Sequence, residues 1–259
     1  GHEGGRTSGH GCGHQNRTKQ SLNTLGKKKL SRFRELEHLE RVIQPPFEEV
    51  FRKDYHLKGK WCSEVFGNDF PLVVELGCGK GEYTVGLARL HPHRNFMGLD
   101  IKGARIWTGA KTAHEEGLAN VAFLRTRIDF VNSFFARDEV DEIWLTFPDP
   151  QGKKKRQRKR LPGAQFLNMY RKFLKDGGSI HLKTDNLQLY RDTLELLKYN
   201  QLEVEVQSTD IYDEDWKDER VSIQTYYEKG FLEEGMKINY LRFRLPVRKE
   251  IRELPDGST

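Results

Sequence analysis

The hydrophobic positions of the chain form short apolar runs, separated by stretches in which apolar residues recur at helical spacing. The runs lack the strict polar alternation of a half-exposed strand, as is typical of strands buried on both faces. We therefore predict strands at residues 72–76, 95–100, 120–124, 141–147 and 178–184. Helices are predicted at 83–90, 104–118, 129–136, 166–174 and 187–200. This alternation predicts an α/β fold, a doubly wound and mostly parallel sheet of Rossmann-like class.

The flanking segments extend this picture. Residues 202–208 and 238–245 are predicted to be two further strands that complete the sheet as an edge hairpin. Residues 30–43 have amphipathic helical spacing that stops before Pro45 and Pro46, which predicts an N-terminal helical arm. We expect a disordered extension or expression remnant at 1–25, a basic helical arm at 26–69, the main domain at 70–248 and a C-terminal tail at 249–259.

Composition excludes a membrane-spanning class. Of the 259 residues, 32% are charged, and the mean hydropathy is -0.76. No stretch approaches the roughly 18 uninterrupted apolar residues that a membrane span requires. The three cysteines form no C-x-x-C pair, which fits a reducing cytoplasm. We expect a soluble, cytoplasmic protein with neither a membrane partner nor a metal.

The basic charge is concentrated in two segments. The net charge is +6, yet the run KKKRQRKR at 153–160 supplies seven basic residues, and GKKKLSRFR at 26–34 supplies five more. The rest of the chain holds 32 basic and 38 acidic residues, so it is mildly acidic. A basic run alone is usually a solvated loop or a localisation signal. Two such segments on an acidic body favour a nucleic-acid partner.

A glycine-rich turn follows the first predicted strand of the sheet. The sequence ELGCGKGE places Gly77, Gly79 and Gly81 where the strand passes into a helix, a position at which α/β folds bind ligands. A dinucleotide fingerprint requires glycine at position 82, which is a glutamate here. Glu75 beside the turn suits a ligand amino group, and Asp100 at the end of the second strand suits ribose hydroxyls. Together they indicate S-adenosylmethionine.

The fourth strand ends in a second candidate site. FPDP at 147–150 delivers Asp149 to the carboxyl edge of the sheet, and the basic run begins three residues after it closes. A Pro-Asp-Pro turn with a solvated carboxylate is the simpler interpretation. The meeting of a carboxylate with a polyanion-binding segment favours a functional role, and Asp149 is the candidate catalytic residue.

These motifs resemble the bacterial tRNA (guanine-N7)-methyltransferases over about residues 26–245. The likeness rests on VELGCGKGEY, FPDP with its basic run, GSIHLKTDN and TYYEKGF. It implies a class I methyltransferase that uses S-adenosylmethionine to methylate N7 of a tRNA guanine, guanine 46 of the variable loop. It also implies cofactor contacts from Glu75, Gly77, Gly79, Gly81, Asp100, Arg127 and Asp149. The implied substrate contacts are Lys153, Asp185, Thr225 and Glu228.

The sequence departs from the family pattern at two places. An Asp-Ala pair that contacts the adenine in the family is matched here by Arg127-Ile128, and the aromatic residue after FPDP is replaced by Gln151-Gly152. Three of the candidate substrate-binding residues also fit a structural role as helix caps. Asp185 precedes a predicted helix and is a candidate cap, and Thr225 with Glu228 has the spacing of a capping box.

Three other functions remain open from the sequence. A dinucleotide-dependent oxidoreductase shares the predicted fold, although the misplaced third glycine counts against it. A non-catalytic RNA-binding module explains the basic segments but leaves Glu75 and Asp100 without a role. Another Rossmann-fold RNA methyltransferase accounts for the motifs with a different target base.

Overall fold

The computed structural model describes residues 24–32, 34–35, 39–213 and 218–256. Its strands are β1 (Val42–Ile43), β2 (Leu72–Leu76), β3 (Asn95–Asp100), β4 (Val121–Arg125), β5 (Val140–Thr146), β6 (Leu174–Thr184), β7 (Val204–Ser208) and β8 (Asn239–Leu245). They form one sheet in the order β1-β4-β3-β2-β5-β6-β8-β7. Every pair is parallel except those of β8, which runs antiparallel to both β6 and β7. The predicted mostly parallel sheet is confirmed.

Helices connect the strands across both faces of the sheet. They are α1 (residues 24–32), α2 (Phe47–Val50), α3 (Glu82–Leu90), α4 (Gly103–Glu115), α5 (Val131–Phe134), α6 (Ala164–Tyr170), α7 (Leu187–Tyr199) and α8 (Tyr226–Glu233). A π-helical turn lies at Trp61–Phe66, and 3₁₀ helices lie at Ile128–Phe130 and Lys154–Lys159. No helix in the described ranges is long and apolar enough to cross a membrane.

The central strands are buried on both faces, which accounts for their unbroken apolar sequence. All five residues of β2 are buried. Leu72, Val74 and Leu76 belong to the hydrophobic core on one side of the sheet, whereas Val73 belongs to the core on the other. Alternate residues therefore contact different helical layers.

The strand order creates a crevice between β2 and β5. From β2 the chain builds β3 and β4 to one side, then crosses back to place β5 and β6 on the other. In doubly wound sheets the loops that leave the two strands at this reversal diverge, and ligands bind between them at the carboxyl edge. The glycine turn follows β2 and Asp149 follows β5, so both lie at this edge.

The N-terminal arm differs from the prediction. We expected one helix over residues 30–43, but Val42 and Ile43 form β1 and pair in parallel with Phe123 and Leu124. The edge of β4 offers backbone hydrogen bonds to this apolar dipeptide, and that long-range pairing prevails over local helical spacing. Of the predicted N-terminal extension, residues 1–23 lie outside the described residues, and residues 24–25 begin α1.

Candidate functional site

The glycine turn adopts a conformation that requires glycine. Gly77, Gly79 and Gly81 have φ values of 77°, 54° and 72°, all in the left-handed region. The amides of Gly77 and Cys78 donate to the Leu99 carbonyl at 2.8 and 2.9 Å. The turn is therefore fixed to the end of β3.

Gly81 and Gly79 serve different purposes in the turn. A Cβ added to Gly81 would lie 2.7 Å from the Phe123 ring and 3.1 Å from the Gly109 Cα, so Gly81 allows α3 and α4 to pack closely. A Cβ added to Gly79 would meet no atom within 4 Å. The backbone at Gly79 thus borders open space, which is the cradle that a ligand lying against the turn needs.

Asp100 lies beside this cradle, at the end of β3. One carboxylate oxygen accepts from the Gly79 amide and the other from the Lys102 amide, both at 2.9 Å. Each carboxylate oxygen has a further lone pair after these bonds. The backbone therefore orients Asp100 and leaves it able to accept from a pair of ribose hydroxyls. The contact between Asp100 and ribose hydroxyls stays a prediction.

Glu75 lies beneath the turn and is only 2% exposed. One carboxylate oxygen accepts from the Thr84 amide at 3.1 Å and from the Thr84 hydroxyl at 2.7 Å, and the other accepts from the Thr146 hydroxyl. Burial raises the pKa of Glu75 to about 7, although these hydrogen bonds act to lower it. Among the described residues, the oxygen facing Thr146 accepts one hydrogen bond only, so burial, and not a lack of lone pairs, keeps Glu75 from a ligand amino group here. In this arrangement Glu75 links β2, α3 and β5.

Asp149 is exposed in a sharply bent segment at the carboxyl end of β5. Phe147 and Gln151 flank it with φ values of 49° and 46°, which are uncommon for residues other than glycine. The Gln151 amide donates to the Asp149 carboxylate at 2.9 Å. Strained backbone of this kind concentrates at functional sites, and here it surrounds the candidate catalytic residue.

The competing role of Asp185 as a helix cap is wrong. The cap of α7 is Asn186, whose side chain accepts from the Leu189 amide at 2.8 Å. Asp185 follows β6 directly and is half-buried, and burial raises its pKa. Because β5 and β6 are adjacent and parallel, Asp149 and Asp185 leave the same edge of the sheet.

Thr225 and Glu228 lie at the start of α8. Thr225 caps the helix by accepting from the Glu228 amide at 3.2 Å, as one half of the expected capping box requires. The Glu228 carboxylate does not return to the cap. It is fully buried, accepts from Lys183 Nζ at 2.7 Å and also accepts from the Tyr212 hydroxyl. Because Glu228 is fully buried, it can affect substrate binding only through the residues that it contacts.

Lys183 is a site residue that the sequence analysis missed. Its ammonium is fully buried and donates to the carbonyls of Val221 and Ile223 at 2.6 and 2.8 Å, besides its bond to Glu228. Burial lowers the pKa of Lys183 to about 8, against the opposing effect of Glu228. A lysine inside the apolar strand sequence IHLKT is the signal that would have revealed it. It attaches the segment before α8 to β6.

α8 also contacts the glycine turn and the end of β5. The Tyr226 amide donates to the Glu82 carboxylate at 2.9 Å, and Lys80 Nζ lies 4.6 Å from the centre of the Tyr226 ring. The rings of Phe147 and Phe231 are 5.7 Å apart. The start of α8 therefore lies at the same carboxyl edge as the crevice. The structure brings Thr225 to the side of the crevice occupied by the candidate cofactor turn.

Arg127, predicted at the adenine position, precedes the 3₁₀ helix that follows β4. Its guanidinium pairs with Asp129 at 2.6 Å and lies 5.5 Å from the centre of the Phe130 ring. Both partners of the ion pair are largely exposed, and such a pair contributes little to stability. The arginine thus lies on the surface at the end of β4, held by its own neighbours.

The basic run is more ordered than the sequence predicts. A solvated loop is the usual structure of such a run, but Lys154–Lys159 form a 3₁₀ helix, with Lys153 at its N-terminal end. Arg156, Arg158 and Lys159 are exposed, whereas Arg160 is buried and pairs with Asp192 at 2.8 Å. Arg160 is therefore not one of the residues of this run that are available to a polyanion.

The basic arm contacts the body through α4. Arg32 lies 4.6 Å from the centre of the Trp107 ring, and the Trp107 indole donates to Glu35 at 2.7 Å. Lys111 lies 4.8 Å from the same ring. This indole therefore fixes the described part of the arm against the domain.

The sheet order, the glycine turn at the reversal point and the carboxylates along one edge define an α/β domain of the methyltransferase type. A family model described as "Putative methyltransferase" matches residues 69–241. The chain belongs to this methyltransferase family. It is 49% identical over 232 residues to the tRNA (guanine-N(7)-)-methyltransferase of Bacteroides thetaiotaomicron, covering 90% of this chain and 91% of that protein.

Further comparisons agree. A relative of the same name from Christiangramia forsetii is 52% identical over 220 residues, covering 85% of this chain and 98% of that protein. The solved structure of an antibiotic-related methyltransferase covers 74% of this chain and 96% of its own with a TM-score of 0.54, at 17% identity. At that identity the structural likeness supports the fold alone.

Proposed function

We propose that the protein transfers a methyl group from S-adenosylmethionine to N7 of a guanine in tRNA, at position 46 of the variable loop. The observation that carries this proposal is the near full-length likeness, at 49% and 52% identity, to proteins named tRNA (guanine-N(7)-)-methyltransferase. An oxidoreductase or a non-catalytic binding module has no comparable support.

The residues of the crevice fit the proposed cofactor. The open backbone at Gly79 provides space for a ligand against the turn, and Asp100 is oriented to accept from ribose hydroxyls. Asp149 offers an exposed carboxylate on the opposite side of the crevice. When bound, S-adenosylmethionine supplies a methyl group already activated by a sulfonium charge.

The chemistry at guanine requires placement more than proton transfer. N7 has an in-plane lone pair and no proton, so a general base is not needed. Positive charge moves onto the purine during transfer, and carboxylates at the edge of the sheet stabilise that charge. Asp149 and Asp185 have the positions for this role, and a carboxylate also accepts two hydrogen bonds from the N1 and N2 edge of guanine.

Thr225 and Lys153 complete the proposed substrate side. Thr225 is held at the start of α8, and the buried Lys183–Glu228 pair secures the segment on which it lies. Lys153 begins the basic run beside the Asp149 segment. The exposed charges of the run then bind phosphates, which position the RNA without reading its sequence.

Methyl transfer from labelled S-adenosylmethionine to unmodified bulk tRNA, followed by nucleoside analysis, tests this proposal. The expected product is 7-methylguanosine. Asp149→Asn should lower turnover at saturating tRNA by about 10- to 100-fold, because it removes charge stabilisation acting in the transition state. Asp138→Asn, at an exposed aspartate on the opposite edge of the sheet, is the matched control. A different methylated nucleoside, or none, contradicts the proposal.

A further inference from the structure

Arg160 differs from the other charged residues of the basic run. It is 8% exposed, whereas Arg156, Arg158 and Lys159 are exposed. Its Nε donates to the Pro150 carbonyl at 2.8 Å, and its Nη1 donates to the Asp192 carboxylate at 2.8 Å. One guanidinium therefore connects the backbone next to Asp149 with a side chain of α7.

The partners of Arg160 hold it in a defined direction. Asp192 accepts through its second oxygen from the Gln188 amide group at 2.7 Å, so this carboxylate is itself oriented. A planar guanidinium donates from two nitrogens in a fixed geometry, which a lysine ammonium cannot reproduce. Because the charge of Arg160 is already matched by a carboxylate at a mostly buried site, little of it is available to an RNA phosphate.

The two segments that Arg160 connects carry the candidate acidic residues. Pro150 follows Asp149 in the bend whose residues Phe147 and Gln151 have positive φ values. Such backbone persists only when surrounding contacts hold it. On the other side, α7 begins two residues after Asp185. The Arg160–Asp192 contact thus adds a second link between these segments, beyond the pairing of β5 with β6.

The neighbouring residue extends the connection to the cofactor turn. The Leu161 carbonyl accepts from the Tyr170 hydroxyl at 2.9 Å, which fixes the chain directly after Arg160. The Leu161 side chain would lie 3.7 Å from a Cβ added at Gly77. The residue that directly follows the basic run therefore lies close to the glycine turn.

We propose that Arg160 and Asp192 form a positioning pair that holds the Asp149 segment for methyl transfer. This inference rests on the function proposed above. It assigns to Arg160 a role different from that of the phosphate-binding residues beside it in the sequence. Arg160 acts through the Pro150 carbonyl on the orientation of Asp149 and does not itself contact the substrate.

Steady-state kinetics of Arg160→Lys and Asp192→Asn test the pair, with Lys159→Gln as the exposed control. Arg160→Lys preserves the charge but loses the two donors in fixed geometry that bond to Pro150 and Asp192. We expect kcat to fall by about 10- to 100-fold, because a reacting group is then misplaced. KM for tRNA should stay within about twofold of the parent value. Lys159→Gln should raise KM and preserve kcat. Asp192→Asn removes a negative charge. If electrostatic attraction of tRNA were the only effect, KM for tRNA would fall. The positioning role predicts a lower kcat instead.

Amide hydrogen exchange over residues 147–152 provides a readout independent of activity. Both variants at the pair should exchange faster there than the parent, with the remaining protected amides unchanged. If Arg160→Lys retains kcat, or if the variants exchange as the parent does, the positioning role is wrong. If the parent protein does not methylate tRNA, the proposed function fails, and the exchange result alone decides whether the pair holds the Asp149 segment.

Discussion

Glu75 is a buried acid whose ionisation should couple stability to pH. Burial raises its pKa from the ordinary value of 4.5 to about 7. Between these values the folded state retains a proton that the unfolded state has released, so the free energy of unfolding falls as the pH rises through this window. Below about pH 4.5 the favourable contribution of the protonated group is fully present.

Glu75→Gln should remove this pH dependence. Between pH 4.5 and pH 7.5 the parent should lose up to about 3 kcal/mol more unfolding free energy than the variant, at about 1.4 kcal/mol for each unit of pKa. Urea denaturation at the two pH values measures the difference. If parent and variant change in parallel, the pKa of Glu75 in the folded protein is close to its value in the unfolded chain.

At the scale of single residues, the sequence predicts positions better than contacts. The spacing of Asp100 from the glycine turn was sufficient to place it beside the open backbone at Gly79. The burial of Glu228 and its pairing with Lys183 were not predictable, because the partners are 45 residues apart and meet only when α8 packs on β6. Arg160 was hidden for a similar reason, since Asp192 lies 32 residues away.

The glycine turn combines packing and binding in one short element, and two substitutions should separate them. Gly81→Ala combines a left-handed backbone with a 2.7 Å contact to Phe123, so it should lower the unfolding free energy by about 2 to 4 kcal/mol. Gly79→Ala has open space around the new Cβ and should cost only about 1 to 2 kcal/mol in stability.

The same pair should differ in cofactor binding. The Cβ of Gly79→Ala projects into the proposed cradle, so affinity for S-adenosylmethionine should fall although the protein remains folded. Denaturation and calorimetry on both variants measure the two effects. Unchanged cofactor affinity in Gly79→Ala would remove this part of the turn from the proposed binding site.

The exposed part of the basic run should control tRNA affinity without controlling turnover. Replacing Arg156, Arg158 and Lys159 together by glutamine should raise KM for tRNA and leave kcat at saturating tRNA unchanged. If each neutralises one phosphate, the slope of log affinity against log salt should become shallower by about 2 to 3, taking roughly 0.7 to 0.9 per contact.

Arg137→Gln with Lys172→Gln provides the control for this series. Both residues are exposed just before β5 and β6, at the amino edge of the sheet. The control should change neither KM nor the salt slope appreciably. If the triple variant binds tRNA with the parental affinity and slope, the exposed run is a solvated helix with no part in binding.

Among the elements, the sheet was predictable from apolar runs because its central strands are buried on both faces. The bounds of β2 and β3 match those predicted at 72–76 and 95–100. Short elements at the margins were not predictable. β1 depends on the free edge of β4, and the helix predicted at 166–174 ends at Tyr170 because Leu174 begins the pairing of β6.

At the scale of the whole molecule, the fold gathers residues from distant parts of the chain at one edge of one sheet. The cofactor turn follows β2, Asp149 follows β5, Asp185 follows β6, and Thr225 lies in the long connection between β7 and β8. The charge distribution favours a polyanionic partner, since two strongly basic segments accompany a mildly acidic body. Both features agree with an RNA substrate whose phosphates are held beside a methyl-transfer site.

The most direct test of the proposed function is methylation of two tRNA transcripts that differ only at guanine 46. One carries guanine, and the other carries 7-deazaguanine, in which carbon replaces N7 while the N1 and N2 edge is kept. We predict stoichiometric methyl transfer to the first transcript and none to the second, with similar binding of both. Equal methylation of the two transcripts would show that N7 of this guanine is not the acceptor and would contradict the proposed function.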